Sequence, residues 1–508
     1  MTFNILHNTT NDYIAIDLGA TSGRVMLGRW NGATLYTEEI HRFGNSPVRT
    51  DDGLCWDMPA ILGEIRTGIA RAAVSAANLV SIGCDSWAAD HGFVDARGES
   101  IGLPFSYQDA RAINDMNEAQ KVMSAEDLQR RVAAPISRIS TLYQLLATRR
   151  AHPDMLARAA KLLFIPDLVH YDLCGSLSTE ETMASTSAML SCRSRGWDND
   201  VLKTYGLPRE ILPDVAQAGA LLGPPRDARS LGLPDGVEVR TPAGHDTACA
   251  FGMAPARLEK DLILSSGTWS MLGFTSRRPV IVPGAVERGF GSFRITHDRW
   301  MFCVGIMGLW LLERLRREEN MGDTAELCAL AAGAPPLVCV FDPGNGLFAE
   351  CATFRQALAE WGRRTQQRAP ETIGGMARSI LESLALFYAE SIETISRLTG
   401  KTFENLIMLG GGSKNNLLNR MTANATGLTA LKGVEEASAI GNIMTQAAGR
   451  GDISSPEDRP EADPRSLCQP ESLFTPTDRT LWQSARERFD KRKKQFAESS
   501  DEASGVAG

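Results

Sequence analysis

The chain has 508 residues, 43% of them apolar and 22% charged, with a net charge of −8. That length predicts roughly two to four domains of a globular protein, and the acidic balance argues against a general nucleic-acid surface. No apolar run is long enough to span a bilayer, and the polar residues 1–12 lack the core of a signal peptide. The ten cysteines have no CxxC or CxH spacing. They read as reduced thiols that fill cores in a cytoplasmic protein, with a zinc site improbable.

In chain order, the pattern predicts a strand over residues 13–18 with Asp17 near its end. It breaks at Gly19-Ala20-Thr21-Ser22-Gly23 and resumes from Arg24 to Trp30. Asn31-Gly32 is a strong hairpin signal, so residues 33–40 should pair back on residues 24–30. A helix follows, capped by Asp57, with Pro59 in its first turn and Ile61, Leu62, Ile65 and Ile69 on one face. Residues 80–84 read as a buried strand that delivers Asp85-Ser86-Trp87-Ala88-Ala89-Asp90 to a sheet edge, where ligands of such sheets tend to bind. Trp87 there offers a flat ring and Asp90 a carboxylate to a ligand; core packing and a strand-end cap are equally open readings. The loop of residues 104–111 offers Tyr107, Asp109 and Arg111 as lining, or a structural Asp109–Arg111 contact. Residues 119–206 are mainly helical, and residues 211–239 read as loops before a short strand at 238–240.

Residues 241–274 carry the densest chemistry. Gly244-His245-Asp246-Thr247 is a turn presenting a carboxylate between an imidazole and a hydroxyl. A strand, the small residues Ser265-Ser266-Gly267-Thr268 and a second strand then make a hairpin whose turn amides suit an anion. A carboxylate to take a proton, close to a phosphate cradle, is what phosphoryl transfer to a hydroxyl requires. Neither small-residue turn is a Walker loop, since no Gly-Lys-Ser/Thr follows. Asp17 at a strand end suits Mg²⁺ held through water, because Mg²⁺ keeps several waters and takes few carboxylates. The two strand–turn–strand units lie about half a chain apart, as in a protein of two related halves.

Further on, residues 300–304 read as a strand and residues 306–319 as a helix, with Gly305 at an N-terminus that would favour an anion or hydroxyl. Residues 336–351 are turn-rich and suggest a flap. A long helix over 372–398 should stop at Gly400. A strand over 405–409 feeds Gly410-Gly411-Gly412 and a helix over 415–425, so backbone and a flat ligand can approach closely. The small-residue helix beginning at Ala437-Ser438-Ala439 would pack beneath that turn. Residues beyond about 487 read as a helix end and a frayed tail.

DLGATSGR, DSWAADHGFVDARG, GHDTACA, SSGTWSMLGF, IMGLWLLER and LGGGSKNNLLNRMTANATG occur in this order. Together they resemble the FGGY carbohydrate kinases, within the actin-like sugar kinases, and most closely their rhamnulokinase branch, from about residue 13 to about residue 453. The resemblance implies an α/β protein of two actin-like (ribonuclease H-like) domains, mixed sheets flanked by helices, with ATP and sugar in the cleft between them. The expected division is 12–240 for the sugar-side domain, 241–486 for the domain with the base, second phosphate loop and adenosine turn, and 487–508 for the tail. Asp246 would be the general base, with His245, Thr247, Trp87, Ala88, Asp90 and position 305 at the sugar. Ala20, Thr21, Ser22, Gly23, Arg24, Gly267 and Thr268 would hold the phosphates; Glu313, Gly411, Gly412 and Asn415 would complete the ATP site. The implied partners are ATP, Mg²⁺ and a ketose, most closely L-rhamnulose, with no nucleic acid or membrane, in a monomer or homodimer. Three positions depart from the rhamnulokinase pattern: Gly305 where Asn is usual, Glu313 where Gln is usual, and Ala88 where Gly is usual. Other ketoses such as L-fuculose or L-xylulose therefore compete, as do a water-accepting ATPase and a non-catalytic binding protein on the same fold.

Overall fold

A computed structural model describes residues 10–296, 298–454 and 472–505. The chain forms two compact units, one of Met1–Met253, Ser276–Phe302 and Glu436–Pro460, the other of Ala254–Thr275, Cys303–Glu435 and Glu461–Gly508.

The first unit is built on a six-stranded mixed sheet in the order Leu221–Gly223, Glu238–Arg240, Leu79–Ser86, Asn11–Leu18, Ser22–Trp30, Leu35–Gly44. Its strand Asn11–Leu18 is buried on both faces, and alternation divides its side chains. Ile14, Ile16 and Leu18 pack with Ile61, Ile65 and Ile69 of the helix Met58–Ser75. Tyr13 and Ala15 pack on the other face with Ala439, Ile443 and Ala447. The helix starts where its sequence says: the Asp57 side chain accepts from the Ala60 amide at 3.1 Å, and Pro59 lies in the first turn. Asn31 accepts from the amides of Ala33 and Thr34, closing the hairpin that sets Trp30 opposite Leu35. Residues 119–206 are mainly helical, as expected, and have an apolar core of their own.

Two features of this unit differ from the sequence reading. The turn at 244–247 belongs to the first unit, not to a domain beginning at 241, because it is attached to the end of strand Leu79–Ser86: the Ser86 amide donates to the Gly244 carbonyl at 2.9 Å, and Ser86 bridges His245 in parallel. The helix Ala437–Arg450 also belongs here. Expected to pack beneath the triple-glycine turn, it packs within the first unit, where it sets Gly441 against Cys249 of the helix Asp246–Met253 and Ile443 against Gly28. Its Asn442 donates to the Gly83 carbonyl at 3.2 Å and its Gln446 to the Ile14 carbonyl at 3.1 Å, so polar side chains from late in the chain pair with early strands.

In the second unit, Asp261–Ser266 pairs antiparallel with Trp269–Ser276 and parallel with Asn405–Leu409, which pairs parallel with Thr429–Lys432. The helix Ile373–Thr399 is capped by Thr372 and ends at Gly400, whose φ of +67° is a left-handed conformation suited to glycine. Residues 336–351 are anchored instead of forming a flap: the Leu337 amide donates to Glu382 at 2.8 Å, the Phe341 amide donates to Ser383 at 3.0 Å, and Phe341 and Phe348 are buried. The expected tail at 487 is part of a helix, Arg479–Gly505. Phe489 and Phe496 are buried, and Phe496 stacks on Trp361 at 4.5 Å, so apolar side chains spaced along a charged helix hold it down. Among the described residues, no helix is long and apolar enough to cross a membrane.

Candidate active site

In the first unit, three carboxylates gather at the strand ends. Pairing places Asp17 beside Asp85 on one side and beside Arg24 on the other. Arg24 is engaged by two carboxylates, Asp17 and Glu436, so its guanidinium is an internal clamp in this structure. The turn between Asp17 and Arg24 is closed by the Gly19 amide donating to the Ser22 carbonyl at 3.0 Å. It is braced by Asn45, whose side chain donates to the Gly19 carbonyl at 2.7 Å and whose amide donates to Thr21 at 3.1 Å. Ala20 is half-buried and Thr21 exposed at its tip, Ser22 is partly open, and Gly23 is packed against Phe43.

Asp85 is fully buried; Asn442 donates to its Oδ1 at 2.6 Å, while Oδ2 has no hydrogen-bond partner among the described residues. Burial, and then the charge of Asp17, push its carboxyl well above the usual range. Asp246 begins the helix Asp246–Met253 and retains a side-chain exposure of 28%. Its Oδ1 accepts from the Thr247 amide and, at 3.0 Å, from the Thr247 hydroxyl; Oδ2 accepts from nothing among the described residues. Displacement of water by the surrounding protein, and then Asp17, raise its pKa to about 7. His245 is buried edge-on to Phe293, and burial lowers its pKa to about 3, so the ring is neutral. At 3.6 Å its Nε2 is beyond good hydrogen-bond distance of Asp246.

The proposed sugar contacts near residue 88 divide. Asp90 is buried, and all its capacity is used internally: Oδ2 accepts from Trp56 at 2.7 Å, Trp87 at 3.0 Å and the Tyr107 amide at 3.1 Å, and Oδ1 accepts from Gln144 at 2.9 Å. Trp87, 6% exposed, packs on Trp56 with ring centroids 4.3 Å apart. Neither side chain is open to a sugar; they shape the turn that leaves Ala88 partly exposed. Ala89 adopts a φ of +72°, uncommon for a residue with a Cβ, and Thr186 and Thr141 bond its amide and carbonyl. Asp109 is also structural, accepting from the amides of Leu54 and Arg111.

In the second unit, the hairpin turn at Gly267 and Thr268 is braced from below. The Leu309 amide donates to the Gly267 carbonyl at 2.9 Å, and those of Gly308 and Trp310 donate to the Thr268 carbonyl at 3.1 and 3.3 Å. The helix therefore starts at Trp310 and its first amides are spent on the hairpin. Gly305 lies in the strand Trp300–Met307 and is exposed, not at a helix N-terminus. Glu313 is paired with Arg316 at 2.7 Å. The triple-glycine turn is packed on Ser266: a Cβ at Gly410 would lie 2.9 Å from its carbonyl oxygen and one at Gly412 2.2 Å from its hydroxyl, whereas Gly411 is exposed with open space around it. The Asn415 side chain caps the helix Asn416–Thr426, accepting from the Leu418 amide at 3.0 Å.

The two units thus carry the same device, a hairpin turn of small residues beside a parallel strand, and the first adds a carboxylate at a helix start. That is the architecture of a sugar kinase built on two actin-like domains. The FGGY family of carbohydrate kinases matches in both its parts, the N-terminal domain over residues 12–252 and the C-terminal domain over residues 262–449. The chain is 36% identical over 447 residues to a rhamnulokinase of Pectobacterium carotovorum, covering 87% of this chain and 88% of that one. It is 33% identical over 481 residues to a rhamnulokinase of Bacteroides thetaiotaomicron, covering 94% and 98%. Its fold is similar to that of a xylulose kinase from Lactobacillus acidophilus, with a TM-score of 0.78, 15% identity and 96% and 98% of the chains covered. It is also similar to that of Plasmodium falciparum glycerol kinase with ADP, with a TM-score of 0.72, 14% identity and 97% and 98% covered. The chain belongs to the FGGY family of carbohydrate kinases, phosphotransferases that act on an alcohol group of a sugar.

Sequence reasoning passed over Asp85, Glu436 and Asn442. Asp85 was legible as an acidic residue ending a buried strand next to the one that bears Asp17; the other two become visible only when the late helix docks. Among the described residues no three His, Cys, Asp or Glu side chains converge as a direct metal cage. The donors fit a hydrated Mg²⁺ held at its outer shell, since the orphaned Asp85 Oδ2 beside Asp17 is a buried acceptor that a cation's waters would satisfy.

Proposed function

We propose that this kinase transfers the γ-phosphoryl group of ATP to a ketose, L-rhamnulose on its C1 hydroxyl, with Asp246 as general base. The observation that supports this reading is the carboxylate of Asp246, whose Oδ1 is held by Thr247 while Oδ2 stays open to take a proton. Thr247 fixes the rotamer, the neutral His245 adds bulk without competing charge, and the backbone beside Ala88 borders the sugar. In the first unit the turn of residues 20–23 offers amides to phosphate oxygens; in the second, where the Gly267 amide is already donated to the Trp269 carbonyl at 3.0 Å, the Thr268 amide does so and Gly411 is open to the nucleotide. Bound Mg²⁺, held by Asp17 through water, supplies charge neutralisation at the phosphates. Arg24 must loosen from Asp17 if it is to reach a phosphate. The test is ADP release with and without a panel of ketoses. The reading expects release to depend on sugar and to be fastest with L-rhamnulose; equal release without sugar would point to an ATPase.

A base whose pKa is about 7 makes turnover depend on pH. Only ionised Asp246 accepts the proton, so kcat/KM should fall about tenfold per pH unit below 7 and level off above it. The stability effect has the opposite sign. The folded pKa lies above the unfolded value of about 3.9, so the folded state binds more protons between the two, and this group's contribution to stability declines as pH rises from about 4 to 7. A kcat/KM profile flat from pH 5 to 8 would contradict the assignment.

Gly305 bears on the choice of sugar. With no side chain there, no amide bonds a sugar hydroxyl, and discrimination between epimers weakens because rejection comes from unpaired buried polar groups. A Cβ at position 305 would meet only Met271 Sδ, at an ordinary 3.5 Å, so asparagine fits. Gly305→Asn is expected to raise the preference for L-rhamnulose over L-fuculose by about two- to tenfold in kcat/KM, the size of one neutral hydrogen bond. An unchanged ratio, with strong rejection of L-fuculose already in the parent, would mean that position 305 does not touch sugar.

A further inference from the structure

We propose that Glu180 is a positioning residue for the turn that presents Asp246, an inference that rests on the reading of Asp246 as the proton acceptor. Glu180 lies far back in the sequence, at the end of the short strand Thr179–Glu180, yet its side chain is 1% exposed and reaches the turn directly. Its Oε2 accepts from the Gly244 amide at 2.8 Å, as well as from the Thr182 amide at 2.8 Å, the Thr182 hydroxyl at 2.5 Å and the Met183 amide at 3.2 Å. That hydroxyl in turn accepts from the His245 amide at 3.3 Å. The two residues before Asp246 therefore donate their amides to one Glu180–Thr182 unit, while the Gly244 carbonyl is held from the opposite side by the Ser86 amide.

The approach is close: a Cβ at Gly244 would lie 3.2 Å from the Met183 Cβ and 3.3 Å from Glu180 Oε2, so both neighbours would have to give by a few tenths of an ångström. The turn is thus gripped through both polar groups of Gly244, and the first rigid point after it is Asp246 itself. What this position requires is an acceptor at a fixed reach. Burial, and then the charge of Glu181, raise the Glu180 pKa to about 8, and in either protonation state it is Oε2 that accepts all four donors. A glutamine offers the same oxygen at the same length; an alanine leaves the Gly244 amide buried and unpaired.

The test compares Glu180→Gln, Glu180→Ala and Thr182→Val, each alone and in an Asp246→Asn background, using ATP and the best substrate of the ketose panel. Displacing a catalytic group by about 1 Å costs on the order of a hundredfold. Glu180→Ala is expected to lower kcat by about thirty- to a hundredfold with KM for ATP within about twofold, Thr182→Val by about tenfold, and Glu180→Gln by no more than about threefold. Because the residue acts through Asp246, Glu180→Ala should cost less than about threefold further once Asp246 is Asn. A folded Glu180→Ala enzyme with parental kcat, or a loss undiminished in the Asp246→Asn background, overturns the proposal. Should Glu180→Ala not fold, Thr182→Val decides: parental kcat overturns, and a loss confined to the Asp246 background supports. Near-normal turnover of Asp246→Asn alone sinks the assignment of the base instead, and is read separately.

Discussion

Asp246→Asn is expected to keep the fold and ATP binding and to lose at least about a hundredfold in turnover, from the range of general-base catalysis. The asparagine oxygen can take the place of Oδ1 and accept from the Thr247 amide and hydroxyl, so the helix start is preserved. The nitrogen falls where Oδ2 stood, and it has no lone pair with which to accept the sugar proton. Stability should not suffer: a carboxylate whose pKa is raised to about 7 destabilises the folded state once ionised, and the neutral amide removes that burden above pH 7. Steady-state ADP formation, calorimetric ATP binding and a melting curve read the three properties. Near-normal turnover on the true substrate would remove Asp246 from the chemistry.

The second large effect is expected from Gly441→Val. Gly441 lies where the helix Ala437–Arg450 crosses the helix Asp246–Met253, and a Cβ there would be 2.3 Å from the Cys249 carbonyl oxygen and 2.9 Å from the Cys249 Cα. The opposing atoms are backbone, so no side chain can swing away and one helix must shift. Overpacking of this kind costs about 1–3 kcal/mol, or a few degrees of melting temperature, since a unit larger than about 250 residues shifts by about 2 °C or less per kcal/mol. The helix displaced is the one that begins at Asp246, so turnover should fall about ten- to a hundredfold as well. Gly63→Ala is the control: it lies in the helix Met58–Ser75 with no neighbour near a new Cβ and should melt at or above the parent temperature. Parental melting and turnover for Gly441→Val would show that the crossing yields without cost.

What could be read from the sequence was what nearby residues decide. Asp57 with Pro59, Asn31-Gly32, and Thr372 with Gly400 each act within a few positions, and the helix, hairpin and helix end they announce are present. The strand–turn–strand around Asp17 is local in the same way. Asp90 shows where such reading stops. Its carboxylate looked open in sequence, yet Trp56 and Gln144, remote along the chain, supply donors that consume it. Gly305 shows the same limit from the backbone side, because the amides expected to bind a ligand are claimed by the hairpin carbonyls of Gly267 and Thr268. The placement of residues 241–253 in the first unit follows from long-range contacts that no periodicity announces, among them Ser86 with His245, Glu180 with Gly244 and Gly441 with Cys249.

The docking of Ala437–Arg450 on strands made at the beginning of the chain has a consequence for biosynthesis. A ribosome completes Leu79–Ser86 long before it reaches Asn442 and Gln446, at about 5–20 residues per second an interval on the order of tens of seconds. Throughout that time Tyr13, Ala15, Met26 and Trp30 lack the apolar face that covers them in the finished unit, and the carbonyls of Ile14 and Gly83 lack their side-chain donors. The nascent chain therefore carries an uncovered sheet face until the helix Ala437–Arg450 has been made, and a premature stop before residue 437 leaves that face permanently bare to chaperones and proteases.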